Sequence, residues 1–128
     1  MNITSKNLTT RKKQLVTLAC RIVHARDTCC RFCGRTHGKM DASHCIPKSR
    51  GWRYAVDTAN IIKLCARCHR QWHEHPTEGV AALRKHCPDV ARYISGLRYS
   101  TGPVTVEEAR AMAVLLAAKA DWYGIDAW

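Results

Sequence analysis

Apolar residues recur at helical spacing in the first part of the chain. Between residues 10 and 26 they fall three or four positions apart, which predicts one amphipathic helix. The predicted buried stripe consists of Leu15, Leu18, Ala19, Ile22 and Val23. The basic residues Arg11, Lys12, Lys13 and Arg21 lie off that stripe. The helix therefore presents a basic face on the side away from its core contact.

The pattern changes to shorter segments in the middle of the chain. Residues 39 to 47 predict a strand that leads into a turn at Pro47. The β-branched run in residues 60 to 64 predicts a second short strand. Residues 66 to 73 predict a helix that ends before the His75-Pro76 step.

The chain beyond Pro76 is predicted to be helical. Helices are expected at residues 77 to 86 and 89 to 94. A last helix begins at Thr105, which with Glu108 fits a capping box, and ends at Gly124. Its apolar stripe is Val106, Ala109, Ala113, Leu116, Ala117 and Ala120. We expect residues 77 to 128 to be a helical extension that packs on the core, or that mediates assembly as a homodimer or with another protein.

Positive charge is concentrated in the first part of the 128-residue chain. The formal net charge is +11, and fifteen Lys and Arg stand against three Asp through His73. Such a segment attracts polyanions, so we expect DNA as the partner rather than a membrane, for which no long apolar stretch is present. The N-terminus lacks the apolar run of a secretory signal, which leads us to expect a cytoplasmic protein.

Two pairs of cysteines have the spacing of metal-binding turns. Cys30 and Cys33 form one pair, and Cys65 and Cys68 form the other. Four thiolates complete the tetrahedral shell of a structural Zn²⁺ ion, so we predict one such site. Cys29 is an alternative to Cys30, and the pairs could instead be core thiols or a redox pair. We assign no metal to Cys20, Cys45 or Cys87.

The residues around these pairs resemble a known nuclease signature. The segments are Asp41-Ala42-Ser43-His44-Cys45-Ile46-Pro47, then Asn60-Ile61-Ile62-Lys63-Leu64-Cys65, then Cys68-His69 and His73. Together they resemble the zinc-bearing bacteriophage form of the HNH (His-Me finger) endonucleases over about residues 10 to 76. The resemblance implies an α+β fold with a small ββα-metal core, here with the four-cysteine zinc site, an N-terminal basic helix and a C-terminal helical extension. Residues 1 to 76 would be the nuclease core.

The resemblance also implies a role for each matching residue. His44 would be the general base, and Asn60 would brace the loop between the strands. His69 and His73, four apart on one helix face, would bind a catalytic Mg²⁺, Mn²⁺ or other divalent ion. Ser43 stands where the family commonly has a metal-binding His or Asp. Three alternatives stay open: Ser43 binds directly or through water, Asp41 substitutes for it, or the metal site is degraded.

Several basic residues are candidates for phosphate contacts. Lys48, Arg50 and Arg53 lie between the predicted strands, and Arg11, Lys12 and Lys13 lie on the first helix. Each of them could equally be an ordinary solvated charge. Trp52 could pack on a sugar or an unpaired base, or could anchor the loop on the core. The sequence predicts a metal-dependent DNA endonuclease, nicking or cutting both strands, of phage or prophage origin with a role in recombination or packaging. The alternatives are a non-catalytic zinc DNA-binding module and an assembly factor.

Overall fold

The protein has an α+β fold in a computed structural model that describes all residues from 1 to 128. The α-helices are α1 (Leu8–Arg26), α2 (Trp52–Ala55), α3 (Ala66–Glu74), α4 (Pro76–His86), α5 (Pro88–Ser95) and α6 (Val106–Trp122). The strands are β1 (Met40–His44) and β2 (Ile61–Cys65), and short 3-10 helices cover Lys48–Arg50 and Thr58–Asn60. None of the helices combines the length and apolar character needed to cross a bilayer.

The two strands form one antiparallel sheet that leads directly into a helix. Met40 pairs with Cys65 at one end of the sheet, and His44 pairs with Ile61 at the other. Cys65 ends β2 and is also the N-cap of α3, where its sulfur accepts from the Cys68 backbone N–H at 3.5 Å. The predicted order of strand, loop, strand and helix is confirmed. The connection between the strands is more structured than expected, because α2 and both 3-10 helices lie within it.

The larger core is formed mainly by α1 and α6. All five residues of the predicted α1 stripe are buried. They share one apolar cluster with the residues that α6 buries, Ala109, Ala113, Leu116 and Ala120. The small alanine side chains let the two helices approach closely. The C-terminal helix is therefore part of the main core, and its other face leaves Val114 72%, Leu115 48% and Trp122 83% exposed.

A second apolar cluster lies on the other side of the sheet, under α4 and α5. It joins Ile62 and Leu64 of β2 to Leu83 of α4 and Val90 of α5. Helix α4 crosses α3 at Gly79, where an added Cβ would stand 2.7 Å from the Trp72 ring. Only glycine permits this separation, since non-bonded carbons pack at about 3.5 to 4.0 Å.

An ion pair connects the loop between the strands to the start of α6. Thr105 Oγ1 accepts from the Glu108 backbone N–H at 3.1 Å, as the predicted capping box requires. The Glu108 carboxylate does not close the box, because it accepts from Arg53 at 2.6 and 2.7 Å. That hydrogen bond from Arg53 lowers the pKa of Glu108. The capping box is thus half formed, and Glu108 instead connects the start of α6 to Arg53 in the loop between the strands.

Candidate functional site

The four predicted cysteines converge on one point. The Sγ atoms of Cys30, Cys33, Cys65 and Cys68 all lie within 4.8 Å of one another. The Cys33 and Cys65 sulfurs are 3.7 Å apart. Four sulfurs at about 2.3 Å from a tetrahedral Zn²⁺ ion are separated by about 3.8 Å, so the thiols fit this metal. This cluster could hold a structural metal ion such as zinc, and Cys29 lies outside it.

Local backbone geometry aims both pairs of sulfurs inward. Gly34, with φ of +79°, turns the chain after the first pair, and its N–H donates to the Cys30 carbonyl at 2.9 Å. The second pair lies at the N-terminus of α3, where burial and the neighbouring thiols raise the pKa of Cys68. Burial raises the pKa of Cys30, but N–H groups of Cys33, Cys65 and Phe32 outweigh it and lower the pKa to about 6. The first pair is therefore prepared to supply a thiolate ligand.

His44 is the last residue of β1, and its ring is held in one orientation. Its Nε2 lies 2.8 Å from the carbonyl oxygen of Ala55. Because a carbonyl can only accept, Nε2 carries the hydrogen and Nδ1 keeps its lone pair. Burial lowers the pKa of His44, which keeps the imidazole neutral at neutral pH. This arrangement is what a general base requires.

Asn60 is fully buried and ties the two ends of the interstrand loop together. Its Oδ1 accepts from the Ile46 N–H at 2.8 Å, and its Nδ2 donates to the Ile46 carbonyl at 2.9 Å. The same amide donates to the Tyr54 carbonyl at 3.1 Å. Ile46 follows His44 closely in the chain, and Tyr54 directly precedes Ala55, whose carbonyl accepts from His44. Asn60 therefore fixes the backbone on both sides of the His44 ring.

The imidazoles of His69 and His73 meet on one face of α3. Their Nε2 atoms are 3.1 Å apart, close enough for a hydrogen bond between them. Two nitrogens at about 2.1 Å from one ion, at a right angle, are about 3.0 Å apart, so the pair also fits a divalent cation. Asp41 Oδ2 accepts from His69 Nδ1 at 3.0 Å, so the lone pair that can bind a metal ion is on Nε2 of His69. Asp41 therefore contacts His69, and the alternative in which Asp41 replaces Ser43 as a ligand stays a prediction.

Ser43, the predicted ligand of the catalytic ion, is only 2% exposed. It is not among the residues that line the cleft in which His69 and His73 lie. Its role as a ligand stays a prediction. The chain offers two imidazole donors there, with Asp41 behind one of them.

The three imidazoles open into a single cleft of about 390 Å³. Its lining consists of Ala42, His44, Pro47, Lys48, Ser49, His69, Trp72 and His73. No carboxylate is among these residues, and Lys48 stands exposed at the rim. The cleft therefore combines a neutral base, two candidate metal donors and a positive charge.

The predicted phosphate contacts divide into two groups. Lys48 and Arg50 are exposed next to this cleft, and Lys12 and Lys13 line a neighbouring cleft that also includes Lys48. Trp52 anchors the loop on α1, because its Nε1 donates to the Lys12 carbonyl at 3.0 Å. These positions leave the lysines directed toward solvent on one side of the molecule.

Arg53 is corrected as a DNA-binding residue, whereas the DNA contact predicted for Arg11 stays a prediction. The Arg53 guanidinium binds the Glu108 carboxylate and the carbonyls of residues 100, 102 and 103, so no donor is left for a phosphate. Arg11 donates to the Asn2 carbonyl and to Gln14, and it lines a separate cleft with Met1 and Trp128. Arg53 therefore holds distant parts of the chain together, whereas Arg11 contacts residues near it in the sequence.

Two contributors to the site were missed at the level of sequence. The Ala55 carbonyl orients His44, and a backbone oxygen leaves no signal in residue type. Trp72 forms part of the cleft wall, yet in sequence it is one aromatic residue among several polar ones on α3. Its place is fixed by the close approach of Gly79, which only the tertiary structure reveals.

No family model, no curated protein and no solved structure matches this chain. Any function proposed for this chain is therefore supported by its own residues and geometry.

Proposed function

We propose that this protein is a metal-dependent endonuclease of the HNH type that hydrolyses phosphodiester bonds in DNA. One observation carries the proposal. The ring of His44, with Nδ1 free to accept a proton, opens into the same cleft as the paired Nε2 atoms of His69 and His73. A proton acceptor and a metal-binding pair facing one cleft are the two parts that metal-assisted phosphodiester hydrolysis needs.

In the proposed reaction His44 Nδ1 removes a proton from a water molecule as the water oxygen attacks phosphorus. The positive charge that forms on the ring is stabilised by the Ala55 carbonyl, which keeps its hydrogen bond to Nε2. Asn60 holds the backbone around His44, so that the base stays in place during the proton transfer. His69 and His73 would hold Mg²⁺ or Mn²⁺, which when bound stabilises negative charge on the phosphate and the leaving oxygen.

Charge around the cleft suits an anionic substrate. Lys48 lies at the rim, no acidic side chain lines the cleft, and the whole chain carries +11. A structural zinc at the four cysteines would fix the end of β2 and the start of α3, and through α3 it would hold His69. The metal that shapes the fold and the metal proposed for catalysis would thus have separate ligands and separate roles.

The test compares His44→Ala with His37→Ala, an exposed histidine outside the cleft. Cleavage of supercoiled plasmid and of linear duplex is followed in Mg²⁺, Mn²⁺ and other divalent ions. We expect the wild type and H37A to cleave, and H44A to lose about 10²- to 10⁴-fold in rate while still binding DNA. Full activity in H44A, or no cleavage by the wild type in any ion, would refute the proposal.

The second candidate is a zinc-stabilised DNA-binding module without catalysis. The burial of Ser43 favours it, since His69 and His73 are the two imidazoles that line the cleft and Ser43 does not line it with them. If the protein binds DNA and cleaves it in none of the divalent ions, this second function is supported.

In an assembly role, the exposed apolar face of α6 would contact a second copy of the chain or another protein. A change in the sedimentation mass would measure this contact.

A further inference from the structure

A second cleft of about 390 Å³ lies beside the proposed catalytic cleft. It is lined by Thr9, Lys12, Lys13, Val16, Lys48, Trp52 and Ala55. Lys48 lines both clefts. Ala55 lines the second cleft, while its carbonyl accepts from His44 of the first. The two clefts therefore adjoin at Lys48 and Ala55, and Ala55 is in direct contact with the proposed base, His44.

The second cleft has an apolar floor and a cationic rim. Val16, Trp52 and Ala55 supply apolar and aromatic surface, and Trp52 is fixed by its bond to the Lys12 carbonyl. The Lys12 ammonium stands 5.8 Å from the centre of the Trp52 ring. None of the three rim lysines takes part in any of the ion pairs of the protein. The cleft thus offers apolar surface next to three lysines that form no ion pair.

We propose that this second cleft binds an unpaired nucleotide of the strand being cut, next to the scissile phosphate. The substrate class is then DNA with a single-stranded segment at the cleavage site, and this choice of substrate rests on the proposed function. An aromatic side chain with lysines around it is the combination that binds single strands, since the base packs on the aromatic ring and the phosphates meet the cations. In an intact duplex the bases are stacked and paired, and only the backbone reaches the rim.

The test measures binding by the full-length zinc-loaded protein in the H44A background, with two oligonucleotides of the same sequence. One is fully paired, and the other has a short gap that carries the fluorescent base 2-aminopurine. Thr9→Trp fills the exposed mouth of the cleft, and Thr10→Trp places the same side chain at the next exposed position, which does not line it. A direct cleavage assay of the wild type with both oligonucleotides accompanies the binding measurement.

We expect the gapped oligonucleotide to bind about tenfold tighter than the paired one, the size of effect that one stacked base provides. The 2-aminopurine fluorescence should change on binding, T9W should remove both effects, and T10W should keep them. Equal affinity for the two oligonucleotides, or a T9W variant that behaves like T10W, would overturn the inference. Cleavage without this preference refutes the unpaired-nucleotide site alone, and the preference without cleavage refutes the nuclease alone.

Discussion

Replacing Asn60 by Ala should destabilise the protein by about 3 kcal/mol, since each of its hydrogen bonds contributes about 1 kcal/mol net. The side chain is 0% exposed and makes three hydrogen bonds, all to backbone groups of Ile46 and Tyr54. A buried partner left unsatisfied costs about as much as the lost bond or more. The alanine also leaves a space in the tightest part of the loop, so the estimate is a lower bound.

Urea unfolding at saturating zinc, followed by far-ultraviolet circular dichroism, measures this loss. The matched control is Asn7→Ala, because Asn7 also makes two backbone hydrogen bonds but does so near the surface. N7A should cost about 1 kcal/mol or less. N60A should keep its zinc. Its kcat should fall by a larger factor than its KM changes, since His44 is displaced. A loss in N60A no greater than in N7A would refute the bracing role.

Three further predictions concern contacts at the site and the zinc cluster. Gly79→Ala should destabilise the protein by about 1 to 3 kcal/mol in thermal or urea unfolding, because its Cβ would stand 2.7 Å from the Trp72 ring; an unchanged midpoint would contradict the packing. The lowered pKa of His44 keeps the base neutral to lower pH. The acid limb of the pH profile of kcat/KM should therefore have its midpoint below about pH 6.5. A midpoint above about pH 7 would exclude His44 as the base. Cys33→Ser should lose one equivalent of zinc, measured by metal analysis, and its Tm should fall by more than about 10 °C. Cys29→Ser should keep both the metal and the Tm. The reverse result would place Cys29 in the cluster.

Local patterns predicted the elements of this fold well because each is decided by nearby residues. The apolar stripes of α1 and α6 both have helical spacing. All five residues of the α1 stripe are buried, and four of the six in α6 are buried, while Val106 and Ala117 are partly exposed. The paired cysteines lie in short turns whose geometry depends on a few residues, so their convergence also follows from spacing. Strand β2 begins with two β-branched residues, Ile61 and Ile62, and it is the more buried strand of the pair.

Long-range pairing explains where the sequence predictions failed. Arg53 looks like a loop cation until Glu108, distant in sequence, meets it and occupies its donors. The same pairing withdraws Glu108 from the capping box that its position next to Thr105 indicates. Ser43 occupies the motif position of a ligand, and its burial could not be read from that position, because it depends on the packing of the whole sheet.

We propose that His44, His69 and His73 form one site for metal-dependent cleavage of DNA. The most direct measurement titrates Mn²⁺ into the zinc-loaded protein and follows, in the same samples, Mn²⁺ binding by electron paramagnetic resonance and the single-turnover rate of plasmid cleavage. We predict that the two curves coincide in the wild type, that His73→Ala shifts both to higher Mn²⁺ concentration, and that H44A abolishes cleavage while leaving Mn²⁺ binding in place. Binding and cleavage that respond differently to H73A, or Mn²⁺ binding that survives removal of both His69 and His73, would contradict the account.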